Sequence, residues 1–306
     1  KLFEKRSDYE VAGFLDDDHS MWGMTIGNTK VLGGTNLLSN MIKEANLDFV
    51  VTAITHDMSK ELYDNIIDIT ANGFPVYDVS TFCEKVLMRI SIKHLNDLWI
   101  AYMPIYGVRK TIYNQKIRKI AEILFSLFIL AVFSPLILLV IAAIKLDSKG
   151  PVFYIQRRIG WRGQPFNLIK FRSMKVDDEN HQDFSGHRND PRITNIGRIL
   201  RFFRFDEIPQ FWNVIKGEMS VIGPRALVEE EVQRFEAQIP YFSLRNSIKP
   251  GITGWAQINY PHGATVRDGF AKLEYDLYYM KNLSPLLDII ILLQTIRIVL
   301  FGDGAR

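Results

Sequence analysis

ILFSLFILAVFSPLILLVIAAI, residues 123–144, runs for 22 residues without a charge in a chain otherwise rich in Lys, Arg, Asp and Glu. As one straight helix rising about 1.5 Å per residue, it would only just cross a hydrocarbon core of roughly 30 Å. Pro135 stands near its middle, where proline removes a backbone hydrogen bond and clashes with the carbonyl four residues back. Membrane helices tolerate proline, so the flanks carry more weight. Arg109, Lys110, Lys116, Arg118 and Lys119 precede the run; Lys145, Lys149, Arg157, Arg158 and Arg162 follow it. Orientation by positive charge needs an imbalance, and five against five provides none. The run therefore reads as helix–break–helix, entering and leaving a membrane by one face. A tilted, kinked span and a buried soluble helix are the alternatives.

The 306 residues leave a domain on either side of this run, each large enough for a core. A net charge of +3 is too small for a nucleic-acid footprint, so no nucleic-acid partner is expected. The basic residues gather beside the apolar run, where they would meet anionic headgroups or phosphates. Cys83 is the only cysteine, which rules out an internal disulfide and fits a reducing compartment. The six histidines lack metal-ligand spacing. The apolar run is internal, so it is no signal peptide. The chain opens at Lys1 rather than Met, as a piece of a longer protein would.

Residues 9–80 alternate strand and helix signals: strands at 9–15, 47–54 and 75–79, helices at 36–45 and 59–71. Such alternation argues for a parallel α/β layer. Gly33-Gly34 does not supply the G-x-G-x-x-G phosphate fingerprint, so a scaffold or regulatory role is expected for this part. Residues 81–116 read as a mixed connector, with Trp99 and Tyr102 as interface anchors.

Beyond the apolar run, strands at 152–156 and 166–172 flank a turn at Gly160-Trp161-Arg162-Gly163. Arg157, Arg158, Lys170 and Arg172 on this hairpin suit a pyrophosphate or lipid phosphates, or form a plain headgroup-facing collar. Residues 177–195 are polar and loop-like, with a turn at Asp190-Pro191-Arg192. IGRILRFFRF, 196–205, reads as a helix placing Arg198 and Arg201 a turn apart. Asp206-Glu207 follows, and Pro209 disfavours helical geometry at Ile208 while opening a new helix that stops at Gly217. The two carboxylates are thus expected at a break, beside a positive helix start, where a phosphate and a divalent cation could both be held. An acidic first turn complementing the helix dipole is the alternative. A short strand at 219–225 brings Arg225 forward, 226–238 reads as a solvent-facing helix, and 249–258, with its glycine turns and aromatics, as a packed loop lining a site. Residues 273–279 add aromatic surface. Ser284-Pro285 caps a final helix to Phe301, expected at the membrane interface or on the hairpin.

KFRSM (170–174), DEIPQ (206–210), MSVIGPR (219–225) and KPGITGWAQI (249–258), in this order after an apolar run carrying Ser134-Pro135, resemble the bacterial sugar transferases. These are the monotopic polyprenyl-phosphate phosphoglycosyl transferases, and the C-terminal stretch is most similar to the branch that starts exopolysaccharide repeat units. The resemblance covers roughly 116–303. Residues 1–115 resemble the Rossmann-like domain of larger members. Ala226 departs from the family's second proline after GPR, and Arg204 stands where many members have a small hydroxyl residue.

The resemblance implies an α/β Rossmann-like domain over 1–115 and a mainly helical, α+β membrane-associated catalytic domain over 116–306. Within the latter it implies a re-entrant helix hairpin at 117–146 broken at Ser134 and Pro135, a catalytic part at 147–283 and an interfacial helix at 284–301. It further implies transfer of a sugar 1-phosphate from a UDP-sugar to undecaprenyl phosphate with release of UMP, on the cytoplasmic face of a bacterial inner membrane and among its lipids. Asp206 would be the nucleophile, with Glu207 assisting through Mg2+ and both carboxylates near the ion. Lys170, Arg172, Arg201, Arg225 and Arg158 would hold phosphates or the nucleotide. A homodimer is left open. The competing reading is a non-catalytic membrane-anchored module that senses nucleotide or organises a polysaccharide complex.

Overall fold

The computed structural model describes residues 10–44, 47–54, 58–92, 116–175, 190–261, 263 and 265–301. The expected anchors Trp99 and Tyr102 and most of the 177–195 loop lie outside them. Two compact units form, Lys1–Leu87 and Met88–Arg306.

In the first unit, β1 (Phe14–Leu15) pairs in parallel with β3 (Thr29–Gly33), and β2 (Thr25–Ile26) folds back on β3 as a hairpin. After α1 (Leu38–Glu44), β4 (Val50–Thr52) and β5 (Val76–Asp78) pair in parallel across α2 (Lys60–Ala71). Ser59 caps α2 by accepting from the Leu62 amide. This is the strand–helix–strand step expected from the sequence, although among the described residues the two sheets stay separate. The hairpin at 25–33 and α3 (Val79–Lys85) were not expected. Phe82 and Cys83 of α3 are fully buried and centre this unit's core.

The division between units falls at 87/88, ahead of the expected 115/116. Met88–Ile92 are built into the second unit by hydrogen bonds rather than left as a connector. The Ile90 amide donates to the Glu274 carbonyl (3.0 Å), and Trp255 Nε1 donates to the Met88 carbonyl (2.8 Å).

In the second unit the apolar run forms two helices, α4 (Arg118–Val132) and α5 (Ser134–Asp147), bent by 61° at Phe133. The break follows from the sequence: Pro135 has no N–H to offer, and Ser134 Oγ donates back to the Ala131 carbonyl (2.8 Å). Among the described residues no single helix is long and apolar enough to cross a membrane. One side of the pair is packed through Ser126, Val140 and Ile144; the other exposes Leu124, Phe128, Val132, Leu138 and Leu139.

The β6–β7 hairpin (Phe153–Ile159 and Pro165–Phe171) is antiparallel, strand, turn and strand as expected, with β6 running three residues past its expected end at 156. Then come α6 (Asn195–Phe202), α7 (Gln210–Lys216), β8 (Ser220–Ile222), α8 (Glu229–Glu236), β9 (Gly251–Thr253), α9 (Trp255–Asn259), α10 (Val266–Asn282) and α11 (Pro285–Phe301). β8 and β9 pair in parallel. Two expectations are corrected here. Residues 273–279 are not surface but the buried centre of α10, where Leu273, Leu277, Tyr279 and Met280 anchor the main core. α8 is not wholly solvent-facing, because Val232 and Phe235 turn into that core. α11 begins as expected, with Ser284 Oγ accepting from the Leu287 amide, and packs Leu287 and Ile291 inward while Leu286, Ile289 and Leu293 stay exposed.

A network of polar groups ties the start of α4 to this core. Arg118 donates to Ser220 Oγ (2.9 Å), the Ile222 carbonyl (2.6 Å) and Tyr279 Oη (2.9 Å), and pairs with Glu122. Ser220 Oγ donates to Glu122, and Tyr279 Oη donates to Asp288 (2.6 Å). The apolar helix pair is thereby fixed to β8, α10 and α11 by hydrogen-bonded charges rather than by apolar contact alone.

Candidate active site

The Asp206-Glu207 pair sits on a single 3-10 turn, Phe205–Glu207, between α6 and α7. Thr194 caps α6 by accepting from the Gly197 amide (2.9 Å). Gly197 is required there: a Cβ would lie 1.9 Å from the Ser173 carbonyl oxygen. The helix ends at Phe202, three residues before the expected end, because Arg204 adopts the left-handed conformation (φ 55°, ψ 22°). The break is therefore at Arg204 and not at Ile208, whose backbone is helical (φ −53°, ψ −40°). A left-handed non-glycine residue costs about 1–2 kcal/mol. Packing on either side offsets it: the Phe203 and Phe205 rings stack at 5.6 Å, and Phe205 lies 6.2 Å from the Phe133 ring at the helix bend. Ile208 is buried with Val140, Ile144, Phe171 and Leu200. The residues flanking the carboxylates thus pack on the bent helix pair itself.

Pro209 opens α7 and Gly217 (φ 80°) closes it, as expected. Asn213, fully buried, stitches α7 to β7. Its Oδ1 accepts from the Ile169 amide (3.1 Å), and its Nδ2 donates to the Asn167 carbonyl (2.7 Å) and Glu218 (2.7 Å). That places Lys170 of β7 against the dyad, Nζ donating to Glu207 Oε1 at 3.0 Å.

From the other side comes Arg225, after β8. Its Nη2 reaches Glu207 Oε1 at 3.5 Å and its Nη1 reaches Gln257 Oε1 at 3.3 Å. The turn carrying Arg225 lies directly against the turn after β9. Cβ atoms at Gly223 and Gly254 would sit 2.4 Å from the Lys249 oxygen and 2.1 Å from the Gly223 oxygen respectively. Arg245, buried and paired with Asp276 (3.0 Å), donates to the Arg225 carbonyl (2.9 Å) and holds this turn from behind.

The two carboxylates have diverged electrostatically. Burial, with the Glu207 charge beside it, pushes the Asp206 carboxyl up to about 6, against the pull of Lys170, Arg201 and Arg225. Burial would push Glu207 up too, but Lys170, Arg225 and Arg204 outweigh it and hold Glu207 well below the usual carboxylate range. The pair therefore offers one firmly ionised, cation-held carboxylate and one buried carboxylate whose charge is only partly offset. A group poised near neutral pH in such a setting is suited to acid–base or nucleophilic work.

Of the residues expected at the site, Asp206, Glu207, Lys170 and Arg225 converge directly, and the Arg201 charge acts on Asp206. Arg158 lies behind them. It donates to the Ala226 carbonyl (2.6 Å) and Gln156 Oε1, and burial with the neighbouring Arg225 charge lowers its guanidinium to about 10, still a cation at neutral pH. Arg172 has a different task. It is buried, and it donates to the carbonyls of Ser148 (2.7 Å) and Lys149 (3.0 Å), capping the end of α5. The structure thus places its Nη groups on backbone oxygens at the end of α5, away from the carboxylate pair, and not among the residues that converge there. Ser134 and Pro135 stand at the bend. Sequence reasoning passed over Arg204 as a departure from the family and missed Gln257, Arg245 and Asn213. Arg204's charge acts on Glu207. Gln257 lies within the KPGITGWAQI motif without being singled out by it, and nothing local in the sequence marks Arg245 or Asn213.

The model of the family described as bacterial sugar transferase matches residues 113–302. The chain belongs to the bacterial sugar transferases. The matched stretch contains the bent helix pair and every residue of the site. Among the relatives of this chain, a UDP-N-acetylgalactosamine-undecaprenyl-phosphate N-acetylgalactosaminephosphotransferase of Aeromonas hydrophila is 39% identical over 235 residues, 76% of this chain and 54% of that one. A UDP-glucose:undecaprenyl-phosphate glucose-1-phosphate transferase of Klebsiella pneumoniae is 31% identical over 293 residues, 94% of this chain and 61% of that one. The exopolysaccharide production protein ExoY of Rhizobium meliloti is 34% identical over 67% of this chain and 91% of its own length. The chain thus spans little more than half of the first two relatives.

Proposed function

We propose that this transferase moves a sugar 1-phosphate from a UDP-sugar to undecaprenyl phosphate, in two displacements through Asp206, as the first membrane step of an exopolysaccharide. The observation that carries the reading is the divergent pair: a buried carboxylate raised to about 6 beside one held by Lys170 and Arg225, packed on a bent apolar helix pair. The relatives' names supply the substrate class.

In the first step an Asp206 carboxylate oxygen attacks the sugar-bearing phosphorus. The new O–P bond replaces the bond to the bridging oxygen, which leaves with UMP. In the second, an oxygen of undecaprenyl phosphate attacks the same phosphorus, restoring the carboxylate and giving the diphosphate-linked sugar. Three negative charges stand on each side of both steps, so no proton has to move. A carboxylate approaches such an anion only where cations neutralise it first, and Lys170, Arg201 and Arg225 serve that end.

The donor set also suits Mg2+, which takes one or two carboxylates and completes its shell with water and substrate phosphates. Asp206 and Glu207 would hold it, and the incompletely offset charge on Asp206 favours a cation there. When bound, the ion supplies further neutralisation of the diphosphate. Among the described residues no group of three His, Cys, Asp or Glu could hold a metal without a substrate.

Release of UMP from UDP-glucose and UDP-N-acetylgalactosamine, with and without undecaprenyl phosphate, tests the activity. Acceptor-dependent turnover is expected with at least one donor, and none with either would remove the reading.

The α4–α5 pair is proposed to enter and leave the bilayer by its cytoplasmic face, setting the dyad at headgroup depth. The balanced basic flanks and the 61° bend support this. Lys116→Cys and Lys149→Cys should be labelled from the same, cytoplasmic side of vesicles, against a native Cys83 that is buried. Labelling from opposite faces would leave a kinked span instead.

A further inference from the structure

Gln257 projects from the five-residue helix α9 toward the guanidinium of Arg225. A guanidinium only donates, so the amide oxygen must face it, and Oε1 accepts from Arg225 Nη1 at 3.3 Å. The orientation of the amide is thereby fixed, and the NH2 group points elsewhere. That Nε2 is buried and has no hydrogen-bond partner among the described residues. A buried donor left unmade is costly, and natural structures retain few of them. This one stands one side chain away from the dyad, since the other end of the same guanidinium contacts Glu207.

We infer that Gln257 donates from Nε2 to an acceptor oxygen of the nucleotide sugar, on the side of Arg225 away from Glu207, and so is a recognition residue for the donor substrate. The inference rests on the function proposed above for the site. Both surroundings favour an acceptor-rich anion over a lipid tail: the neighbouring group is a guanidinium, and the free amide hydrogens can only donate. Gln257 also does a second thing, bracing Arg225, and the two roles separate cleanly by substitution.

Gln257→Glu keeps an oxygen toward Arg225 and turns their contact into an ion pair, but replaces the donor with a second oxygen. A bracing role alone would survive this change; donation to an anionic substrate would not. The affinity of wild type and Gln257→Glu for UDP-glucose and UDP-N-acetylgalactosamine is measured by titration calorimetry, alongside KM for each substrate in the UMP-release assay. We expect dissociation constant and KM for the nucleotide sugar to rise about tenfold or more, as for one lost charge-assisted hydrogen bond, with KM for undecaprenyl phosphate nearly unchanged. Gln257→Leu, which loses both contacts, should weaken donor binding at least as much. Wild-type donor affinity in Gln257→Glu, or an equal rise for lipid and donor, would overturn the inference and leave the proposed activity standing. Donor binding that depends on Gln257 in a protein releasing no UMP would sustain the inference while the chemistry failed. Absence of donor binding in wild type would remove both.

Discussion

Asp206→Asn is expected to lower turnover by at least about a thousandfold, roughly 4 kcal/mol in barrier, while leaving the protein as stable as wild type or more so. The amide keeps the shape of the side chain and removes the anionic oxygen that attacks phosphorus. The stability half follows from linkage. A carboxyl whose folded value is raised contributes stability fully below its unfolded value, and that contribution is lost as pH rises through the folded value, here about 6. At pH 7.5 wild type therefore carries an ionised, buried Asp206 at a cost of up to about 3 kcal/mol, which the asparagine avoids. Thermal unfolding at pH 5 and pH 7.5 checks it: wild type should lose more stability between them than the variant. An acidic pair serving only the helix start would behave otherwise, losing about 1 kcal/mol of stability on substitution with turnover nearly intact.

Lys170→Met should lower kcat about a hundredfold and move the acid limb of activity upward. Lys170 is the largest of the charges acting against burial at Glu207, and it also pulls Asp206 down. In wild type the reacting carboxylate loses its charge as pH falls through about 6, so the rate should drop tenfold per unit below that point. Without Lys170 both carboxyls hold protons to higher pH, and the fall begins nearer neutrality. The loss in kcat itself is of the size seen when one charge-stabilising donor is removed from an active site. A pH–rate profile of the variant superimposing on wild type after scaling would show that Lys170 acts elsewhere.

Local chemistry made much of this site readable before any coordinates. Proline at 135 forecast the bend, Pro209 and Gly217 bounded α7, and Ser284 marked the start of α11. Each of these is a backbone effect within one turn of chain, which is why sequence reveals it. What sequence missed depends on partners far along the chain. Arg172 looks like any hairpin cation until α5 ends over it. Residues 273–279 look like aromatic surface until α10 is buried by elements from 90 to 291. The break at Arg204 is set by phenylalanine rings stacking on the bend, and a helical pattern that continues through Phe205 conceals it. Gln257 lies in the KPGITGWAQI motif, but that motif does not single it out until Arg225 fixes which way its amide points.

The covalent step is open to one direct measurement. Wild-type protein is incubated with its UDP-sugar and Mg2+ in the absence of undecaprenyl phosphate, then quenched, and its intact mass and peptides are read by mass spectrometry. We expect a gain of one sugar phosphate per chain, located on Asp206, with UMP released in equal amount and the adduct discharged on adding the lipid acceptor. The same mass on another residue, or acceptor-dependent UMP release at wild-type rate from Asp206→Asn, would contradict it.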